Sequence, residues 1–194
     1  MALPLIVSFY TPDGDYPAHA RQLTADCLKH GLEHCIVQKP SLKSWLGNCR
    51  VKPQFIKEML LKHQRPILWI DVDSRILRPH TELNDPTWDI ALHRSTTSTH
   101  RQWHVYMMGF NLGALPVLDC WIDKSKTTLG SDDSAFEEAR KTGILDNLKV
   151  YECKQSMATL PRQPRHPNQF MVTGISVSPV KTRELQALKK VRGW

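Results

Sequence analysis

Two carboxylates, Asp71 and Asp73, stand one residue apart directly after the apolar run Ile67-Leu68-Trp69-Ile70. In extended backbone, residues two apart project to the same side, so both can face one point while Val72 turns into the protein. Two anions this close repel unless a cation joins them. A hard divalent ion, Mg²⁺ or Mn²⁺, that also bridges the phosphates of a nucleotide suits such a pair. A lone D-x-D triplet also arises by chance and serves as a loop cap, so position matters more than pattern. The apolar run reads as a buried strand that ends at the carboxylates, which is where open α/β sheets bind ligands. Other residues fit the same chemistry. Lys52 lies just before a helix opened by Pro53 and can reach a phosphate together with free helix N–H groups, or is simply an exposed loop lysine. Asp132 and Asp133 sit in Gly130-Ser131-Asp132-Asp133-Ser134, a helix start in which either could be no more than the cap.

The elements that must position these groups follow from the pattern of apolar residues. Residues 3–10 form an apolar run rich in β-formers, ended by the turn cluster Thr11-Pro12-Asp13-Gly14-Asp15. Ala20, Leu23, Cys27 and Leu28 then recur at helical spacing until Gly31, and residues 33–38 read as a second strand. This β-α-β opening predicts a right-handed crossover in a largely parallel sheet. No G-x-G-x-x-G follows the first strand, and no G-x-x-x-x-G-K-[ST] occurs anywhere, which excludes the usual dinucleotide fingerprint and the P-loop. Residues 41–51 read as a polar connection. Pro53 starts a helix carrying Phe55, Ile56, Met59 and Leu60 on one face. A strand is expected at 88–92, and the polar run 93–104 reads as a surface loop. Its His93, His100 and His104 lack the tight spacing of a zinc site and are read as loop or acceptor-site residues. Residues 105–115 suggest a strand with Gly109, Asn111 and Gly113 set into it, so that its backbone approaches a ligand or turns sharply, or an irregular edge strand. Helices follow at 116–126 and from 131 to about 140, strands at 148–153 and 170–177, and a last helix from Pro179. Residues 161–167 form a Pro-rich basic loop.

The length of 194 residues and 41% hydrophobic content suit one domain over 1–194, without repeats or linkers. Five scattered cysteines without a C-x-x-C pair argue against a disulfide framework and a cysteine zinc site. No run approaches the roughly 18–20 apolar residues of a membrane span, and the N-terminal residues make no signal peptide, so a cytoplasmic protein is expected. The net charge is +7. From 161 to 194, Arg162, Arg165, Lys181, Arg183, Lys189, Lys190 and Arg192 face one acid, Glu184. Such a segment suits a polyanionic partner or a phosphate-bearing small molecule, or is a solvated face.

Taken in order, these pieces resemble the GT-A-fold glycosyltransferases that use nucleotide-diphosphate sugars. The resemblance rests on Leu5-Ile6-Val7-Ser8-Phe9-Tyr10-Thr11 as a nucleotide-binding strand, Lys52-Pro53-Gln54-Phe55-Ile56 opening a helix, and Leu68-Trp69-Ile70-Asp71-Val72-Asp73 as the D-x-D motif. Gly109-Phe110-Asn111-Leu112-Gly113 resembles the family's N-x-G strand, and Ser131-Asp132-Asp133-Ser134-Ala135-Phe136 its D-Q-x-A helix start. The resemblance implies a single mixed, mainly parallel sheet flanked by helices, with a donor-binding part over 1–78 and an acceptor side over 79–194. It implies Mn²⁺ or Mg²⁺ on Asp71 and Asp73, with Ser8, Tyr10 and Thr11 on the nucleoside, Lys52 on the diphosphate and Lys181 in the same donor-binding set. Asn111 falls to the sugar or acceptor, and Asp132 or Asp133 to the donor sugar or to a general base. Two departures stand out. Thr173 occupies the place where the family often has a metal-binding histidine, leaving the metal to be completed by water and phosphate, by His166, or to matter little. Asp133 replaces the usual glutamine. For the acceptor, a hydroxylated base in DNA, as in a modified viral genome, would suit the charge, with Trp103 stacking on the flipped base. A protein, saccharide or small-molecule acceptor is the alternative. A non-catalytic nucleic-acid-binding module and a two-metal phosphotransferase or nuclease are the readings from other classes.

Overall fold

A computed structural model describes residues 3–79, 82–84, 87–94, 103–154, 157–161, 169–176 and 179–192. His100 and His166, and with them Arg162 and Arg165, lie outside the described residues. The chain begins with β1 (Leu5–Tyr10), α1 (Tyr16–Lys29) and β2 (His34–Gln38). β1 is buried along nearly its whole length, as a central strand covered on both faces must be. α1 starts on Tyr16-Pro17, where proline needs no helical N–H, and stops at Gly31, whose φ of +64° lies in the left-handed region. Ala20, Leu23 and Cys27 are buried as the spacing predicts, but Leu28 is 68% exposed. At 100° per residue it falls about a quarter turn away from the stripe the other three form.

After β2 come α2 (Trp45–Arg50) and α3 (Lys52–His63). α2 lies in the stretch read as a connection; its start is capped by Ser44, whose Oγ accepts from Gly47 N at 3.0 Å. α3 buries Phe55, Ile56, Met59 and Leu60, the predicted face. β3 (Ile67–Ile70) follows and is fully buried. The remaining elements are β4 (Arg75–Ile76), β5 (Ile90–Arg94), β6 (Trp103–Phe110), α4 (Leu115–Thr127), α5 (Asp132–Arg140), β7 (Val150–Cys153), β8 (Ala158–Thr159), β9 (Met171–Val172) and α6 (Pro179–Arg192).

Six strands form one sheet in the order β2-β1-β3-β6-β5-β7. β1 pairs in parallel with β2 and β3, and β5 with β7, while β6 runs antiparallel between β3 and β5. The sheet is thus mainly parallel with helices on its faces, the expected mixed α/β architecture. One face packs Phe9, Phe55, Trp69, Trp121 and Phe136 against α3, α4 and α5. The other packs Ile6, Leu23, Ile70 and Met107 against α1 and a small sheet of order β4-β9-β8. Buried Asp26 of α1 joins these layers. It accepts two bonds from Arg75, at 2.7 and 3.1 Å, and one from Ile76 N at 3.0 Å.

Two local expectations are corrected. The polar run 93–104 is strand at both ends, His93 pairing with His104 and Arg94 with Trp103. Arg94 tolerates a strand end because Glu152 on β7 receives it bidentately at 2.7 and 2.9 Å. The strand expected over 170–177 is only Met171–Val172, because the following backbone turns to serve Asp73 instead: Ile175 N donates to its carbonyl at 3.1 Å and Ser176 N to its carboxylate at 3.2 Å. No helix among the described residues is long and apolar enough to cross a membrane.

Candidate active site

A cleft of about 1470 Å³ opens at the C-terminal ends of β1 and β3. Its walls come from the turn after β1, α2, the loop after β3, the start of β6, the start of α5 and the inner face of α6. Both D-x-D carboxylates line it. Asp71 leaves β3 with its N–H bonded to Tyr106 O at 2.9 Å, which fixes it against β6, and its Oδ1 accepts the Trp69 indole N–H at 2.9 Å. Asp73 is 6% exposed. Burial and the neighbouring Asp71 charge raise its pKa, against Lys181, whose Nζ lies 3.7 Å away.

The centre of the site is Lys52. It opens α3, and its side chain is buried rather than in an exposed loop. Its Nζ lies 2.7 Å from Asp71 Oδ1, forms a close ion pair with Asp132 Oδ2, and sits 5.3 Å from the Trp69 ring centre. Burial opposes the ammonium charge, but Asp132 and Asp71 outweigh it and hold Lys52 protonated. Asp132, first residue of α5, is buried with it, and its carbonyl accepts from Trp121 Nε1 at 3.0 Å. Burial, then the charges of Asp133 and Asp71, push its carboxyl up to about 6 although Lys52 pulls the other way. Asp133 follows on the same turn, half-buried on the cleft wall, and accepts from Ser131 Oγ at 3.4 Å.

The other predicted residues divide. Tyr10 and Thr11 end β1 on the cleft wall, with the Tyr10 hydroxyl donating to Gln38 at 3.2 Å. Lys181 lines the cleft from α6 and lies 5.9 Å from the Trp45 ring centre. Thr173 reaches the cleft beside Asp73, but its Oγ1 already accepts from Ser74 Oγ at 2.8 Å. Three placements are corrected. Ser8 is fully buried, is not among the residues of the cleft wall, and its hydroxyl finds no hydrogen-bond partner, because its strand is covered on both faces. Asn111 stands at the far end of β6: antiparallel pairing puts Phe110 beside Ile67, at the start of β3, while Met107 faces Ile70 near Asp71. There its side chain accepts from Leu112 N at 2.8 Å and starts a 3₁₀ turn. Trp103, read as a stacking surface, is 6% exposed and packed in the core.

Tyr106 and Cys49 are cleft residues that escaped the sequence reading, while His104, read as a loop or acceptor-site residue, stands on a strand at the cleft wall. His104 and Tyr106 project from β6 with stacked rings 4.7 Å apart, and the Tyr106 hydroxyl meets His93 Nδ1 at 3.1 Å. Alternation along a strand gives their common side once the strand is known to run through 103–110. Cys49 lies against the lysine and carboxylates; burial and the Asp132 charge raise its pKa, so it is a neutral thiol and no nucleophile. Its place three residues before Lys52 was the available signal.

Among the described residues no three His, Cys, Asp or Glu side chains gather to hold a metal ion. Asp71 and Asp73 nonetheless fit a hard cation. They are oxygen donors separated by one residue, and burial first and the Asp71 charge second raise the Asp73 pKa, so a cation between the two would relieve their repulsion. Two carboxylates completed by substrate phosphates are a usual Mg²⁺ set, so Thr173 is not required.

No protein-family model matches the sequence, and no curated protein matches it. Solved structures do. The chain superposes on a glycosyltransferase involved in glycosylation of the major capsid of PBCV-1, with TM-score 0.70 at 13% identity, over 97% of this chain and 99% of that one. It also superposes on the apo form of glycosyltransferase GlyE from Streptococcus pneumoniae, with TM-score 0.63 at 12% identity, over 91% of this chain and 55% of that one. At such identities the likeness is one of fold, and the fold of this chain is the GT-A-like α/β fold of these glycosyltransferases.

Proposed function

We propose that this protein transfers a sugar from a nucleotide-diphosphate sugar to an acceptor hydroxyl. One arrangement supports the reading: both D-x-D carboxylates, Lys52, Lys181 and the acidic start of α5 line a single cleft at the strand ends of a glycosyltransferase fold. In the reaction the acceptor oxygen bonds to the anomeric carbon, the bond to the β-phosphate oxygen breaks, and its electron pair leaves with the nucleoside diphosphate. Negative charge therefore grows on that oxygen, and cations placed there beforehand lower the barrier. A Mg²⁺ or Mn²⁺ ion held by Asp71 and Asp73 would supply such charge.

The chain's own residues do the rest. Tyr10 and Thr11 border the nucleoside end of the cleft. Lys181 presents N–H donors to the diphosphate, since an ammonium carries three and its pairing with Asp73 uses one, whereas Lys52, whose Nζ also reaches Val105 O at 3.4 Å, contributes its charge. Asp132, held by Lys52, offers its carboxylate to the hydroxyls of the donor sugar. Its pKa of about 6 also matches a group that takes a proton near neutral pH, and Asp133 on the same turn is the other candidate for that role. At about 1470 Å³ the cleft exceeds the roughly 300–1,000 Å³ typical of a small-ligand pocket, which leaves room for an acceptor beside the donor. With Trp103 buried, a DNA acceptor rests only on the basic charge, and saccharide or protein hydroxyls stand level with it.

The test is release of nucleoside diphosphate from a panel of nucleotide sugars with Mn²⁺, in the presence of saccharides, proteins or hydroxymethylated DNA. Release that depends on an acceptor and is lost in Asp71→Asn supports the proposal. Salt-sensitive DNA binding with no release from any donor would overturn it in favour of a basic binding module.

A further inference from the structure

Glu184 is the one acid in the basic C-terminal segment, and α6 turns it inward. Its carboxylate receives three donors from the start of α2: Ser44 Oγ at 3.1 Å, Trp45 N at 2.9 Å and Leu46 N at 2.9 Å. All three are charge-assisted, and two come from amide groups that the first turn of a helix leaves unpaired. One helical turn earlier on the same side stands Lys181, facing Asp73 and the Trp45 ring. α2 in turn leads through Val51 into Lys52. Each D-x-D carboxylate is therefore met by a lysine, Asp71 by Lys52 and Asp73 by Lys181, and Glu184 ties together the two segments that carry these lysines.

We propose that Glu184 is a positioning residue of the donor site: by holding the start of α2 it fixes α6 along the cleft and sets Lys181 against Asp73. The value of that placement for donor binding rests on the proposed function, while the placement itself does not. Lysine is long and flexible, and an ion pair at 3.7 Å with a ring at 5.9 Å does not fix a partly exposed ammonium. Three bonds to a carboxylate one turn away do.

Two measurements separate the claims. In the free protein, the rate at which an amine-reactive reagent acylates Lys181 is followed by mass spectrometry in wild type, Glu184→Gln and Glu184→Ala. Lys154, which pairs with Glu82 and among the described residues touches neither α2 nor α6, serves as the internal control in preference to Lys43, whose neighbour Ser44 the latch holds. Release of the latch exposes Lys181, so its rate rises roughly tenfold in Glu184→Ala, the size expected for losing charge-assisted hydrogen bonds, and less in Glu184→Gln, while Lys154 is unchanged. An unchanged Lys181 rate in either folded variant overturns the proposal. If Glu184→Ala does not fold, Glu184→Gln decides alone. The second measurement is calorimetric binding of UDP with Mn²⁺ to Glu184→Ala, Lys181→Met and the double variant. Loss of affinity in each single variant without further loss in the double marks Glu184 as acting through Lys181; additive losses mark a merely structural role and overturn the proposal. Should UDP and its counterparts GDP, CDP and ADP all fail to bind wild type, the donor reading falls, and the acylation rates still decide whether Glu184 positions Lys181.

Discussion

Replacing Lys52 by methionine should make stability depend on pH in a direction set by Asp132. In the wild-type protein one buried ammonium is shared by two carboxylates, Asp132 with its side chain 6% exposed and Asp71 at 30%. Methionine keeps the bulk of the side chain and removes its charge. Asp71, partly in water, is screened, whereas Asp132 is left as an unpaired buried anion. Removing one partner of a buried pair costs about 3–5 kcal/mol, and here most of it falls on Asp132. The sign follows from its pKa. The carboxyl is already raised from 3.8 to about 6 in the folded state, so the native protein holds that proton more tightly than the unfolded chain does. Stability therefore falls as pH rises from about 4 to about 6, by about 3 kcal/mol for a shift of this size, and the loss persists above. Without Lys52 the pKa goes higher still, and the window moves up with it. Urea denaturation at pH 5 and pH 8 reads this directly. Lys52→Met should lose several kcal/mol at pH 8 and recover much of it at pH 5, and Lys52→Met/Asp132→Asn should be more stable than Lys52→Met at pH 8. An equal loss at both pH values, or no recovery in the double variant, would refute the picture of Lys52 as the charge that keeps Asp132 ionised.

Two further predictions concern residues the site does not use. A Cβ at Gly109 would lie 2.8 Å from the Trp88 ring and 2.9 Å from Ala91 Cβ, so Gly109→Ala should cost about 1–3 kcal/mol in chemical denaturation, from overpacking alone. Asn111→Ala should cost about 1 kcal/mol through the lost cap on Leu112 and leave nucleotide affinity unchanged by calorimetry; a large loss of affinity would return Asn111 to the site.

What could be read from the sequence, and what could not, follows from the reach of each interaction. Asp71 and Asp73 were legible because their signal is local: an all-apolar strand that gives way to two carboxylates. Helices α3 and α5 were legible from proline and acidic residues at their starts and apolar stripes along them. The burial of Lys52 was not, since its partners lie on β3 and α5, far along the chain, and only tertiary packing brings them together. Asn111 misled because glycines set into a strand mark close approach without saying to what: here Gly109 makes way for Trp88, and the antiparallel run of β6 carries Asn111 to the wrong end of the sheet. Periodicity is blind to strand direction. Helix α2 is six residues long and none of its residues is fully buried, so it leaves no apolar stripe; its cap on Ser44 was the local signal, while its contact with Glu184 comes only from tertiary packing.

The central claim is that the two carboxylates and the cleft around them bind a nucleotide-diphosphate donor through a divalent cation. Calorimetric titration of UDP, GDP, CDP, ADP and their sugars, with and without Mn²⁺, into wild type and Asp73→Asn tests it most directly. The account predicts binding by one nucleotide family that requires the metal and is lost in the variant, with a corresponding rise in melting temperature of the wild type alone. Absence of binding by every nucleotide, or binding that Asp73→Asn leaves intact, would contradict it.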